Sequence, residues 1–143
     1  MEAPMSSDLI EAAKLPYIGY SEKNWDKVRA AVSPDFQYDE VVTGRNVSGI
    51  DAVLEIWDGW AAAFPHSEAE FHSAVASGNT VVLELTWNVT HTGPMPTPNG
   101  EVIGTGKTAS VRAISVLEME NGKAVSCRQY FDMGTLLSQL GLN

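Results

Sequence analysis

The stretch Val81-Val82-Leu83-Glu84-Leu85-Thr86-Trp87-Asn88-Val89 decides the architecture. Val81, Leu83, Leu85, Trp87 and Val89 alternate with Val82, Glu84, Thr86 and Asn88, the period of a strand with one buried face. Downstream, a second long strand is expected over about Lys107 to Glu120. Asn121-Gly122 follows, a pair that tolerates positive φ at both central positions of a two-residue hairpin. The returning strand runs from Lys123 to about Phe131 and leads into a short helix carrying Leu136, Leu137 and Leu140. Upstream the period changes. Ile50, Val53, Leu54, Trp57, Trp60, Ala61 and Phe64 recur at spacings of three and four, so a helix is expected there, stopped by Pro65. Ser48-Gly49-Ile50-Asp51 resembles a capping box at its start.

The remaining N-terminal third reads as two helices and a strand. The first helix is expected over Ser7 to Tyr20 with Leu9, Ile10, Ala13 and Leu15 as apolar positions, and Pro16 should kink or end it. The second covers about Asn24 to Val32, and a strand from Phe36 to Val42 follows the turn at Ser33-Pro34-Asp35. Helices first and a meander of strands last argue for an α+β fold, with helices packed on one face of a curved antiparallel sheet. Such a sheet leaves a concave interior in which a pocket can sit.

The chain of 143 residues is the size of one domain, taken as 1–143, and shows no repeat or linker. With 18 acidic against 9 basic residues its net charge is −9, which disfavours nucleic acid and anionic membrane surfaces as partners. No apolar run is long enough for a transmembrane helix, and the first seven residues lack the pattern of a secretory signal. The lone Cys127 cannot form an internal disulfide, consistent with a cytoplasmic protein. His66, His72 and His91 lack the spacing of a metal site, so no metal is expected.

Several segments, in order, resemble the SnoaL-like branch of the nuclear transport factor 2-like superfamily. They are Phe36-Gln37-Tyr38-Asp39, Gly49 through Trp60-Ala61-Ala62-Ala63-Phe64-Pro65, His91-Thr92-Gly93-Pro94, Asn121-Gly122-Lys123, Tyr130-Phe131-Asp132 and the closing Gly134 to Gly141. The resemblance implies a cone-shaped barrel wrapped around helices with an internal apolar cavity, commonly a homodimer. It also implies cofactor-free chemistry on a hydrophobic, carbonyl-bearing molecule, most like an aldol polyketide cyclase. Isomerases, dehydratases and epoxide hydrolases belong to the same superfamily. The histidine and aspartate used by the cyclases align with Ser115 and Gln129 here. A ligand-binding module that keeps the pocket without the reaction is the alternative. An epoxide hydrolase would need an Asp-Arg-Asp set, for which Arg112 or Arg128 could supply the arginine.

The candidate residues follow from these readings. Acid/base work in an apolar cone needs a proton carrier and a donor for the developing oxyanion. Asp132, at the end of the last strand, is the candidate carrier, and equally a residue placed to cap the C-terminal helix. Gln129 and His91 are its candidate partners; His91 shares the apolar side of its strand with Trp87 and Val89, or else bonds the following loop. Tyr38 shares a face with Phe36 and either reaches a ligand oxygen or is an ordinary core tyrosine. Trp57, Trp60, Phe64, Trp87, Ser115 and Phe131 complete the expected ligand-binding set. The segment Gly93 to Gly100, with three prolines, reads as a stiff loop at the rim. Cys127 reads as a packing residue.

Overall fold

The computed structural model describes residues 6–97 and 100–142. Helix α1 (Ser6–Glu22) is followed by α2 (Trp25–Ala31), β1 (Val32–Glu40), β2 (Arg45–Ser48) and α3 (Ile50–Ala63). Then come β3 (Glu68–Ser77), β4 (Thr80–Thr90), the short β5 (Met95–Thr97) and β6 (Gly100–Val102), β7 (Thr108–Glu120), β8 (Lys123–Phe131) and α4 (Met133–Gln139). Six strands form one sheet in the order β2-β1-β8-β7-β4-β3. The result is an α+β fold of four helices and a curved sheet.

The long strands come out where period two places them. Leu83 pairs with Ser115, Leu85 with Ala113 and Trp87 with Val111, so the inward residues of β4 and β7 stand side by side. Asn121 and Gly122 have φ of 53° and 77°, the left-handed geometry that the two-residue turn requires. The sheet is mixed, however, not wholly antiparallel: β1 runs parallel to β8, with Tyr38 beside Cys127 and Glu40 beside Gln129. Parallel neighbours need a long crossover, and here everything from β2 to β7 lies between them.

Several local expectations are corrected. Pro16 lies inside an unbroken α1. The stripe that holds α1 down is Leu9, Ala13, Tyr17 and Tyr20, all buried, while Leu15 is exposed. Packing two tyrosines beyond the proline outweighs the one backbone bond it removes. At the start of α3 no side chain caps the helix; Gly49, with φ of 93°, is the cap residue, and its N–H bonds Phe36 O at 2.9 Å. Strands β2 and β3 carry no clear alternation in sequence, because β2 has four residues and β3 slips register between Phe71 and Ser73. The expected rim loop is a small hairpin, with β5 paired to β6 and Met95 buried beside Phe64 and Val89. Pro98 and Asn99, within the expected loop, lie outside the described residues.

The apolar interior has two parts. One lies between α1, α2, α3 and the sheet, around Val53, Trp57, Leu83, Leu85 and Leu117. The other, around Phe64, Val89, Val111, Leu136 and Leu140, sits under α4 and the small hairpin. Trp60, Trp87 and Phe131 pack against both and are only partly buried. The space between the two parts is the cavity.

Candidate functional site: an aromatic cavity

Each wall of the cavity comes from a different element. Helix α1 supplies Tyr17 and Tyr20, β1 supplies Tyr38 and Glu40, and α3 and its end supply Trp57, Trp60 and Phe64. The sheet contributes Trp87, Val89, Val111, Gln129 and Phe131, while Ser67 and Leu136 close the sides. About 640 Å³ of space between atoms, open solvent included, lies between them.

The rings hold one another. Trp57 stacks on Tyr17 at 6.2 Å and meets Tyr38 edge-on at 5.6 Å. Trp60 stacks on Phe64 and meets Phe131 edge-on, both at 6.0 Å. Tyr20 meets Trp87 edge-on at 5.3 Å. Such contacts contribute about 0.5–1.5 kcal/mol each and fix the walls before any ligand arrives.

The polar centre of the wall is Glu40, whose side chain is fully buried. Its Oε2 accepts from Tyr38 Oη at 2.8 Å and Trp60 Nε1 at 2.9 Å. Its Oε1 accepts from Thr43 Oγ1 at 2.7 Å and from Arg45 Nε and Nη2 at 2.9 and 2.6 Å. Burial pushes the carboxyl up, but the bonds from Thr43, Arg45, Tyr38 and Trp60 together bring it below its ordinary value. Glu40 is therefore ionised, and five donors share its lone pairs. Tyr38 is pushed well up by burial and then by the Glu40 charge, so it remains a neutral donor.

Gln129 is oriented by a single bond. Trp87 Nε1 is a donor only, and its 3.1 Å contact fixes Oε1 of the amide as the acceptor. The amide NH₂ has no partner among the described residues, and it belongs to the cavity wall. It is a free donor.

Of the expected site residues, Tyr38, Trp57, Trp60, Phe64, Trp87, Gln129 and Phe131 line this cavity; Asp132, His91 and Ser115 do not. Asp132 is exposed, accepts from Thr135 Oγ1 at 2.8 Å, and is held below its ordinary value by the Thr135 side chain and the Thr135 and Gly134 amides. It faces out because Gln129 and Phe131 point in and the strand period sends the next position the other way. Asp132 is the cap residue of α4 and lies outside the cavity lining. His91 is buried behind Phe64, with ring centroids 5.3 Å apart. Its Nδ1 accepts the Thr105 backbone N–H at 3.2 Å, which assigns the ring proton to Nε2. It bonds the Thr105 loop and lies outside the cavity lining. Ser115 is fully buried beyond the cavity floor, close to Tyr17 and Cys127. Cys127 bonds Tyr17 Oη at 2.7 Å, and burial pushes its thiol up to about 12, so it packs and does not attack.

The cavity also contains residues outside the expected set, among them Tyr17, Tyr20, Glu40 and Ser67. Glu40 had a signal, since Phe36, Tyr38 and Glu40 fall on one face at period two. Among the described residues no group of three His, Cys, Asp or Glu could hold a metal ion, and no helix is long and apolar enough to cross a membrane.

The profile of the SnoaL-like polyketide cyclase family matches residues 13–140. The chain belongs to that family. A candidate SnoaL-like polyketide cyclase from Jannaschia sp. CCS1 superposes with a TM-score of 0.85 at 16% identity, covering 100% of this chain and 98% of that one. IdmH, a candidate polyketide cyclase from Streptomyces antibioticus, gives 0.80 at 20% identity, over 93% and 98% of the two chains. An LEH-like epoxide hydrolase of M. tuberculosis gives 0.73 at 20% identity, over 96% and 92%. At these identities the likeness is one of fold. No curated protein matches the chain.

Proposed function

We propose that this SnoaL-like chain binds an uncharged, planar, carbonyl-bearing small molecule in its aromatic cavity and promotes cofactor-independent ring closure of the aldol type. The observation that carries the reading is the unpaired NH₂ of Gln129, presented between aromatic walls where a ligand oxygen would lie. An amide donor held between aromatic walls stabilises a carbonyl oxygen as it becomes an enolate. Glu40 is the proton acceptor in this reading, because it is the ionised carboxylate on the wall. Five donors make it a weak base. A weak base removes a proton only from a carbon that is already acidic, such as one flanked by two carbonyl groups.

The saturation of Glu40 also favours a second reading, a ligand-binding module without turnover. One experiment separates the two. The protein is incubated with an aryl 1,3-diketone in deuterated buffer, and exchange at the central carbon is followed by NMR. Catalysed exchange that falls at least about tenfold in Glu40→Gln supports the acid/base reading. Saturable binding with no exchange above the buffer rate removes it and leaves the binding module. Homodimerisation through the outer sheet face is part of the same proposal.

A further inference from the structure

We infer that Arg45 is a positioning residue for the cavity carboxylate: from outside the wall it holds Oε1 of Glu40 and leaves Oε2 as the oxygen that meets the ligand. The inference deepens the reading of Glu40 as proton acceptor and rests on it for its chemical consequence.

The two oxygens of Glu40 have partners on opposite sides of the wall. Oε2 is bonded by Tyr38 Oη at 2.8 Å and Trp60 Nε1 at 2.9 Å, and both residues line the cavity. Oε1 is bonded by Thr43 Oγ1 at 2.7 Å and by Arg45 Nε and Nη2 at 2.9 and 2.6 Å, and neither residue belongs to the lining. The Arg45 side chain is 43% exposed while that of Glu40 is fully buried, so the ion pair spans the wall from solvent to cavity. The local sequence builds this arrangement. Glu40 ends β1, Arg45 begins β2, and the two stand opposite each other in the hairpin. The turn between them closes on Glu40 itself, whose carbonyl accepts from Thr43 N at 3.2 Å and Gly44 N at 3.0 Å. Gly44 takes the left-handed φ of 76° that brings Arg45 back alongside.

The consequence is one of charge. A carboxylate buried among rings with neutral donors alone is neutralised more readily than one that also faces a cation. Tyr38 and Trp60 are neutral donors, and Arg45 is the one cation bonded to Glu40 among the described residues. The other elements packed there do not offset the charge. Tyr20 of α1, pushed up to about 12 chiefly by burial, stays neutral, and Gln129, the register partner on β8, does not titrate. Arg45 therefore compensates the carboxylate without entering the space a ligand would fill. The pair is neutral as a whole, which suits an uncharged ligand, and Oε2 keeps the role of acceptor.

The test follows the Glu40 carboxyl carbon by NMR in protein isotope-labelled at its glutamates, the signal being assigned by its loss in Glu40→Gln. Wild type is expected to titrate below the ordinary carboxylate value. Arg45→Met should move the midpoint up, and Arg45→Lys, which keeps the charge but not the fork, should fall between the two. Arg29→Met removes the same charge from an exposed pair with Asp51 and should leave the midpoint in place. The acid limb of catalysed diketone exchange should follow the midpoint, falling about tenfold at fixed pH for each pH unit it moves. A merely structural role for Arg45 would lower the melting temperature and leave both midpoint and limb unmoved. Equal midpoints in wild type and Arg45→Met overturn the inference while leaving the Glu40 reading intact. If Arg45→Met does not fold, Arg45→Lys decides, and a midpoint no higher than that of wild type overturns the inference. A midpoint that answers to Arg45, with no exchange in wild type, removes the reaction and keeps Arg45 as the residue that sets the charge of the wall.

Discussion

Glu40 is where one residue has the most leverage. It sits at the meeting point of Tyr38, Trp60, Thr43 and Arg45, so removing its carboxylate strands four side chains at once. Glu40→Ala is expected to cost about 1–3 kcal/mol for each buried donor it strands, Tyr38 Oη and Trp60 Nε1, while the half-exposed Arg45 turns to water, as read from urea unfolding. Glu40→Gln keeps the size and an acceptor and should cost less, about 1–3 kcal/mol. The pH dependence has a fixed sign. The folded carboxyl titrates below its ordinary value of 4.5, so the unfolded chain binds more protons between the two values. The stabilisation is complete above the ordinary value and is lost as pH falls through the folded one. The acid limb of a stability–pH curve should therefore be shallower in Glu40→Gln than in wild type, and identical limbs would remove Glu40 as its source. Gln129→Leu makes a complementary test. It deletes a free donor without touching Glu40 and also removes the acceptor of Trp87 Nε1, so it should weaken ketone binding about tenfold and cost about 1–3 kcal/mol of stability.

At the scale of elements, the sequence is most legible where one physical rule acts alone. The alternation of β4 and β7, the Asn121-Gly122 turn and the apolar stripe of α3 all need nothing beyond a face to bury and a turn to close. The elements that escape are those decided by neighbours. Strand β3 is half exposed and bulged, so its pattern is diluted, and the parallel seat of β1 against β8 is set by the whole intervening chain. The same division runs through the site. The aromatic lining is legible because tryptophans on inward faces have few other places to go, whereas Asp132 is attractive in sequence and lost by one step of strand period. Contacts between elements also make specific demands. Gly93 follows β4 where the chain passes the end of α3, and Gly93 N bonds Ala63 O at 3.1 Å. A Cβ at Gly93 would fall 1.8 Å from Ala62 O, a backbone atom. Gly93→Ala should therefore destabilise the fold by about 1–3 kcal/mol or more through overpacking, visible as a lowered melting temperature. An unchanged melting temperature would mean that the helix end and the strand end can separate freely.

For the whole molecule, the outer face of the sheet is what the interior does not explain. Val75, Ile114 and Tyr130 are exposed there, and the register puts them in order. Val75, Val82 and Val116 lie across β3, β4 and β7 in one row that ends at Arg128 on β8. The neighbouring row runs through Ser73, Glu84, Ile114 and Tyr130. Cross-strand neighbours on one face act as a unit, so Val75, Val82 and Val116 make one apolar row, with Ile114 and Tyr130 beside it in a row that also carries Ser73 and Glu84. A net charge of −9 opposes self-association in general, so an interface must rest on apolar contact that the charge does not cancel. We predict a homodimer joined through this face. Placing a carboxylate at its centre, as in Ile114→Glu, buries a charge without a partner at any such joint. The substitution leaves the cavity untouched, because Ile114 points away from Ala113 and Ser115 on the inward side of β7. Sedimentation should show wild type at twice the mass of one chain and Ile114→Glu at the mass of one, with ketone binding retained. A wild type that sediments as a single chain at micromolar concentration would show that this face is left to solvent or to a different partner.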